Sequence, residues 1–162
     1  MVIHRMNNET IRRFPMYPYT NYYDAVYRQT NVLIQEIEQA INGEYSAIEC
    51  YTRLANLASS KKERERILEI REDEVRHYQQ FVHIYQRLTG SPPQPKITEE
   101  CPNSYVKGLK FAIEDEQKTV DFYMEIADKA NDPMVQGVFK RAAVDEQNHA
   151  VWFLYFFTKA KS

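Results

Sequence analysis

The chain has 162 residues, 43% hydrophobic and 27% charged, which is material for one domain with a sizeable core. Its 21 basic and 23 acidic residues nearly cancel, so no broad basic face for nucleic acid or anionic lipid is expected, and no run approaches the ~20 apolar residues of a membrane span. Only 4 glycines argue against a turn-rich β fold and for helix. Cys50 and Cys101 make no C-x-x-C pair and no disulfide framework, and the N-terminus lacks the apolar stretch of a secretory signal, so a reducing cytoplasm is expected.

Residues 1–23, with Pro15, Pro18 and four clustered tyrosines, read as an irregular aromatic arm. The remainder, 24–162, reads as an all-α four-helix bundle. A first helix runs from about Asp24 to Ser59 on an apolar stripe through Ile34, Ile37, Ile41, Ile48, Tyr51 and Ala55. Ser60 and Glu63 form a capping box for a second helix, whose stripe passes through Ile67, Ile70, Phe81 and Ile84. Residues 89–103 contain Gly90 and four prolines and cannot be helical throughout, so they form a long crossover. A third helix spans about Ser104 to Ala130. Asp132 followed by Pro133 caps a fourth, which carries Phe139, Phe153 and Phe156 inward. Trp152 and Tyr155 then face outward, to be covered by the aromatic arm or by a second subunit, and a homodimer is expected.

Sliding the sequence against itself by 72 residues pairs Glu44 with Glu116, Tyr51 with Tyr123, Asp73 with Asp145, Glu74 with Glu146 and His77 with His149. One shift that superposes rare histidines with their flanking carboxylates marks an internal duplication, hence two pseudo-symmetric helical hairpins. Glu44 lies 16 residues before Ser60 and Glu74 lies 14 after it. At ~1.5 Å per residue both stand roughly 21–24 Å from the turn, and so do their counterparts in the second hairpin.

Six ionisable residues therefore converge at one depth in an otherwise apolar seam: Glu44, Glu74, His77, Glu116, Glu146 and His149. Four carboxylates without a seam Lys or Arg would be very costly in a low-dielectric core, whereas two divalent cations balance four Glu and two neutral His. Nitrogen and oxygen donors without thiolate suit iron or manganese. Asp73 and Asp145 can accept the other ring N–H of a liganding His from the facing helix, a solvated flank position being the competing reading. Tyr51 and Tyr123 can hydrogen-bond a ligand carboxylate in supporting roles, although core packing explains them nearly as well.

The segments GEYSAIECY, DEVRHY, EQKTVDFY and DEQNHA resemble the rubrerythrin branch of the ferritin-like di-iron carboxylate superfamily, over residues 30–158. The resemblance implies two iron ions, with Glu44 and His77 as terminal ligands of one, Glu116 and His149 of the other, and Glu74 and Glu146 bridging both. It implies an oxidoreductase that reduces hydrogen peroxide or dioxygen. No rubredoxin-type C-x-x-C knuckles are present, so electrons would come from a separate, rubredoxin-like donor. Thr119 stands where rubrerythrins tend to carry an extra carboxylate, which brings the ligand set nearer to bacterioferritin ferroxidase centres. A ferroxidase or iron-handling protein is therefore the alternative, and a structural assembly protein that keeps the site is a third.

Overall fold

The computed structural model describes residues 19–161. Four helices account for nearly all of them: α1 (Tyr19–Leu57), α2 (Lys61–Thr89), α3 (Tyr105–Lys129) and α4 (Pro133–Lys161). α1 packs along α2 and α3 along α4 as two hairpins, which meet through α1 against α3 and α2 against α4. The crossover returns the chain to the opposite end of the bundle, so α2 and α3 run parallel on a diagonal. This is the expected ferritin-like bundle.

The boundaries follow local chemistry. Ser60 is extended at φ −138° and its side chain accepts from the Glu63 N–H, satisfying one orphan donor of α2. Gly90 stops α2 at φ 73°, a left-handed conformation that only glycine adopts without cost, and its N–H donates to the Gln86 carbonyl. Asp132 accepts from the Met134 N–H at 2.8 Å and opens α4 as expected.

Two expectations need correction. α1 begins at Tyr19, about five residues before Asp24; the rest of the proposed arm lies outside the described residues, as does any covering it gives Trp152 and Tyr155. The cysteines are bonded to each other: the crossover lays Cys101 beside Cys50 on α1, at a Cα separation of 5.1 Å. A separation of 51 residues hides this pairing in the sequence, and the disulfide removes the ground on which a reducing compartment was expected. Among the described residues no helix is long and apolar enough to cross a membrane.

The capping box is only half formed, because the Glu63 carboxylate is used elsewhere. Buried at 3% exposure, it accepts from Ser59, from the Tyr105 hydroxyl at 2.8 Å and from Lys159 Nζ at 2.6 Å, joining residues near one end of all four helices. Burial acts to raise its pKa, but the bonds from Lys159, Tyr105 and Ser59 outweigh burial and hold it below the usual carboxylate range. Glu63→Ala should cost about 2 kcal/mol in chemical denaturation. A folded pKa below the unfolded one means that this contribution is fully present above about pH 4.5 and is lost as the pH falls through the folded value. The difference between wild type and variant should thus shrink in acid.

The core is split into two apolar halves. One contains Ile37, Ile41, Phe81, Ile126 and Phe139, with the Phe81 and Phe139 rings stacked at 4.2 Å. The other contains Leu54, Ile67, Ile70, Leu109, Phe153 and Phe156. Phe153 and Phe156 point inward as expected, while Trp152 lies half-buried beneath the Arg66 guanidinium at 4.4 Å and Tyr155 is exposed. Between the two halves sits a polar layer.

Candidate metal centre

The layer consists of the six seam residues, all buried to 3% exposure or less. Glu44 and Glu116 come from the middle of α1 and α3, while Glu74 with His77 and Glu146 with His149 come from α2 and α4. Three-residue spacing puts each Glu and His on one helical face, and both pairs show the same 3.2 Å contact from His Nδ1 to Glu Oε2. Two groups of donor atoms, each spanning no more than 4.8 Å, result: Glu44, Glu74, His77 and Glu146, and Glu74, Glu116, Glu146 and His149. Glu74 and Glu146 belong to both.

The histidines direct Nδ1 into the layer. His77 Nδ1 is 3.0 Å from Glu146 and 3.5 Å from Glu44, and His149 Nδ1 is 3.0 Å from Glu74 and 3.8 Å from Glu116. Each Nε2 points outward, that of His77 to Asp145 at 3.4 Å and that of His149 to Asp73 at 3.1 Å. The aspartates are therefore paired across helices, one of the two readings open in the sequence. Arg76 on Asp73 and Arg141 on Asp145 extend each relay to the surface, and neither arginine was identified from sequence because the 72-residue repeat does not match them.

The tyrosines cross between hairpins in the same way. Tyr51 donates to Glu116 Oε1 at 2.6 Å and Tyr123 to Glu44 Oε1 at 2.5 Å. Each phenol thus fixes one carboxylate oxygen of the opposite hairpin. Burial, followed by the neighbouring Glu charges, holds both phenols well above their usual range.

Without cations the layer is balanced by protons. Burial first, then the charges of Glu146 and Glu74, raises the pKa of Glu44 and Glu116 well above the carboxylate range. Burial opposes charge on the imidazoles, but the surrounding carboxylates outweigh it and hold both His77 and His149 protonated far beyond the usual histidine range. Glu146 moves the other way: burial is overcome by hydrogen bonds from Glu116, His149 and His77, which lower its pKa. Even so, Glu74 Oε1 and Glu146 Oε1 are buried without a well-aligned hydrogen bond, each lying 3.0 Å from the His Nδ1 of the other hairpin. These oxygens belong to the two residues common to both groups, and hard divalent cations suit such donors.

A cavity of about 570 Å³ reaches the layer between α1 and α3. Glu44, Glu74, Glu116 and Glu146 lie at its base, and the crossover contributes Thr98 and Glu99 to its wall. Across from them stands Asp115, whose pKa burial and the adjacent Glu99 carboxyl push up to about 8. This acidic pair was missed from sequence. The signal was a break in the repeat, since Asp115 pairs with Gly43 and Thr119 with Ala47, and all four residues line the cavity.

A profile of the rubrerythrin family matches residues 107–162, which contain Glu116, Glu146 and His149. An uncharacterized protein of Bacillus subtilis, YhjR, is 52% identical over 134 residues, covering 83% of this chain and 92% of that protein. A hypothetical protein from Pyrococcus furiosus has a similar fold, with a TM-score of 0.69 at 17% identity over 78% of this chain and 88% of the other.

Proposed function

We propose, on the premise that the chain belongs to the rubrerythrin family, that its six buried donors hold two iron ions and that the protein reduces hydrogen peroxide or dioxygen. The observation that carries this reading is the pair of overlapping four-residue groups, whose shared members, Glu74 and Glu146, each bury an oxygen inside the layer 3.0 Å from the His Nδ1 of the other hairpin. Two bound irons would supply one electron each for a two-electron reduction. Glu74 and Glu146 serve as the carboxylates common to both ions, with Glu44 and His77 completing one side and Glu116 and His149 the other. Asp145 and Asp73 keep the proton of each imidazole on Nε2, leaving Nδ1 free as a donor atom. Tyr51 and Tyr123 hold the terminal carboxylates in place and can lend a proton at their hydroxyl oxygen. The oxidant reaches the layer through the cavity between α1 and α3, and a separate rubredoxin-like protein restores the electrons.

The acidic pair Glu99 and Asp115 in that cavity favours a second reading, ferroxidase chemistry, because two neighbouring carboxyl groups along an entry route offer oxygen donors to a cation that displaces the Asp115 proton. Stopped-flow mixing of the protein, loaded anaerobically with Fe(II), against peroxide or dioxygen separates the two. The oxidoreductase reading expects two irons per chain, oxidised once and reusable after reduction. Continued uptake of many irons per chain in a very large oligomer would replace it with iron storage.

A further inference from the structure

The crossover is fastened to α1 along a single stripe. Lys96 N–H donates to Asn42 Oδ1 at 2.8 Å, Thr98 N–H donates to Ser46 Oγ at 3.0 Å, and Cys101 is bonded to Cys50. Their α1 partners at 42, 46 and 50 recur every four residues, so the crossover lies along one helical face. That face borders the cavity, because Asn42 and Ala47 from α1 and Thr98 and Glu99 from the crossover all line it. The crossover itself contains no helix or strand, and most of its residues are exposed. Hydrogen bonds open to water compete with solvent and hold such a segment weakly. The disulfide is the one covalent tie among these fastenings, and it lies three residues from Thr98.

We propose that Cys50–Cys101 is a redox-operated latch on the cavity, cleaved by a dithiol reductant, and that opening it speeds the passage of divalent cations to the six-residue layer. The proposal rests on reading that layer as a metal centre. Cys101 is half-buried and Cys50 is buried, so the incoming thiolate attacks Cys101 Sγ and Cys50 leaves as a thiolate that takes up a proton. The second thiol of the reductant then resolves the mixed disulfide and frees Cys101 as a thiol. Two electrons and two protons pass to the protein, and the reductant leaves as its own disulfide. Residues 96–101 are then held by hydrogen bonds and by the packing of Cys101 against the apolar core, and the wall formed by Thr98 and Glu99 can swing away from Asp115.

The test compares the full chain in oxidised form, in dithiothreitol-reduced form and as Cys101→Ser. Cobalt(II) uptake is followed by its visible absorption, and amide hydrogen exchange is followed across residues 90–104. Reduced wild type and Cys101→Ser should each take up cobalt at least ~10-fold faster than the oxidised protein, to the same final stoichiometry, with exchange protection lost in the crossover and kept in α1. Equal uptake rates in the oxidised and reduced forms, with two free thiols per chain verified after reduction, would overturn the latch. So would unchanged exchange in the crossover. If no form binds cobalt while the crossover still loosens on reduction, the metal reading has failed and the gating role fails with it, whereas cobalt binding at one common rate refutes the gating role alone.

Discussion

Glu74→Ala and Glu146→Ala should each abolish stable binding of the metal pair, whereas Glu44→Ala or Glu116→Ala should leave a single ion. The asymmetry follows from membership: Glu74 and Glu146 contribute to both donor groups, and Glu44 and Glu116 to one each. Loss of a shared carboxylate weakens both ions together and removes a negative charge that had offset them. Elemental analysis of protein loaded with Fe(II) and then desalted gives the ratio directly. Two metals per chain retained in either shared-ligand variant would remove the bridging assignment. Because Glu74 and Glu146 are buried, the variants must also be checked for helicity, and retained helix with lost metal is the expected combination.

The second large effect is in protons. Glu44, Glu116, His77 and His149 all have raised pKa values in the metal-free layer, so the folded chain keeps protons there that the unfolded chain has released. Wherever the native state binds more protons, stability falls as the pH rises. The metal-free protein should therefore lose stability from about pH 4.5 upward through the carboxyl pair and from about pH 6.5 upward through the histidines, with Glu146 partly opposing. Divalent cations displace the same protons, so their affinity rises over the same window. The melting temperature gap between Mn(II)-loaded and metal-free protein should widen from pH 5 to pH 8. Calorimetry in buffers of different ionisation enthalpy should detect up to four protons released for two cations bound, which leaves the charge of the layer unchanged. A gap that stays constant with pH, or no proton release, would show that the layer is not buried and acidic in the way described.

Most of this site is legible in the sequence because it is periodic. The apolar stripes give the helices, and the 72-residue shift gives the symmetry that brings Glu44, Glu74 and His77 level with Glu116, Glu146 and His149. The cross-helix pairs of Asp73 with His149 and Asp145 with His77 are only half legible, since a residue adjacent to one ligand can face either the neighbouring helix or solvent. What escapes is whatever depends on the path of irregular chain. The crossover carries no period, so neither the contact of Cys101 with Cys50 nor that of Glu99 with Asp115 can be placed from spacing. The start of α1 escapes for a different reason. Proline is tolerated in the first turn of a helix, so Pro18 is compatible with a helix that begins beside it, and the tyrosines that follow do not forbid one.

The ties between the hairpins have a further consequence. Tyr51 braces Glu116 and Tyr123 braces Glu44, while His77 leans on Asp145 and His149 on Asp73, so every support crosses from one half of the duplication to the other. A single hairpin holds ligands without braces and can complete them only by pairing with a copy of itself. Joining two copies in one chain keeps that cage intact and also frees each half to drift where the cage is not involved. The drift is visible on the cavity side, where Gly43 is the counterpart of Asp115, Ala47 of Thr119 and Cys50 of Phe122. Two cations in this protein would occupy seats related by a half-turn behind a lopsided doorway, alike in what holds them and unlike in how they are reached.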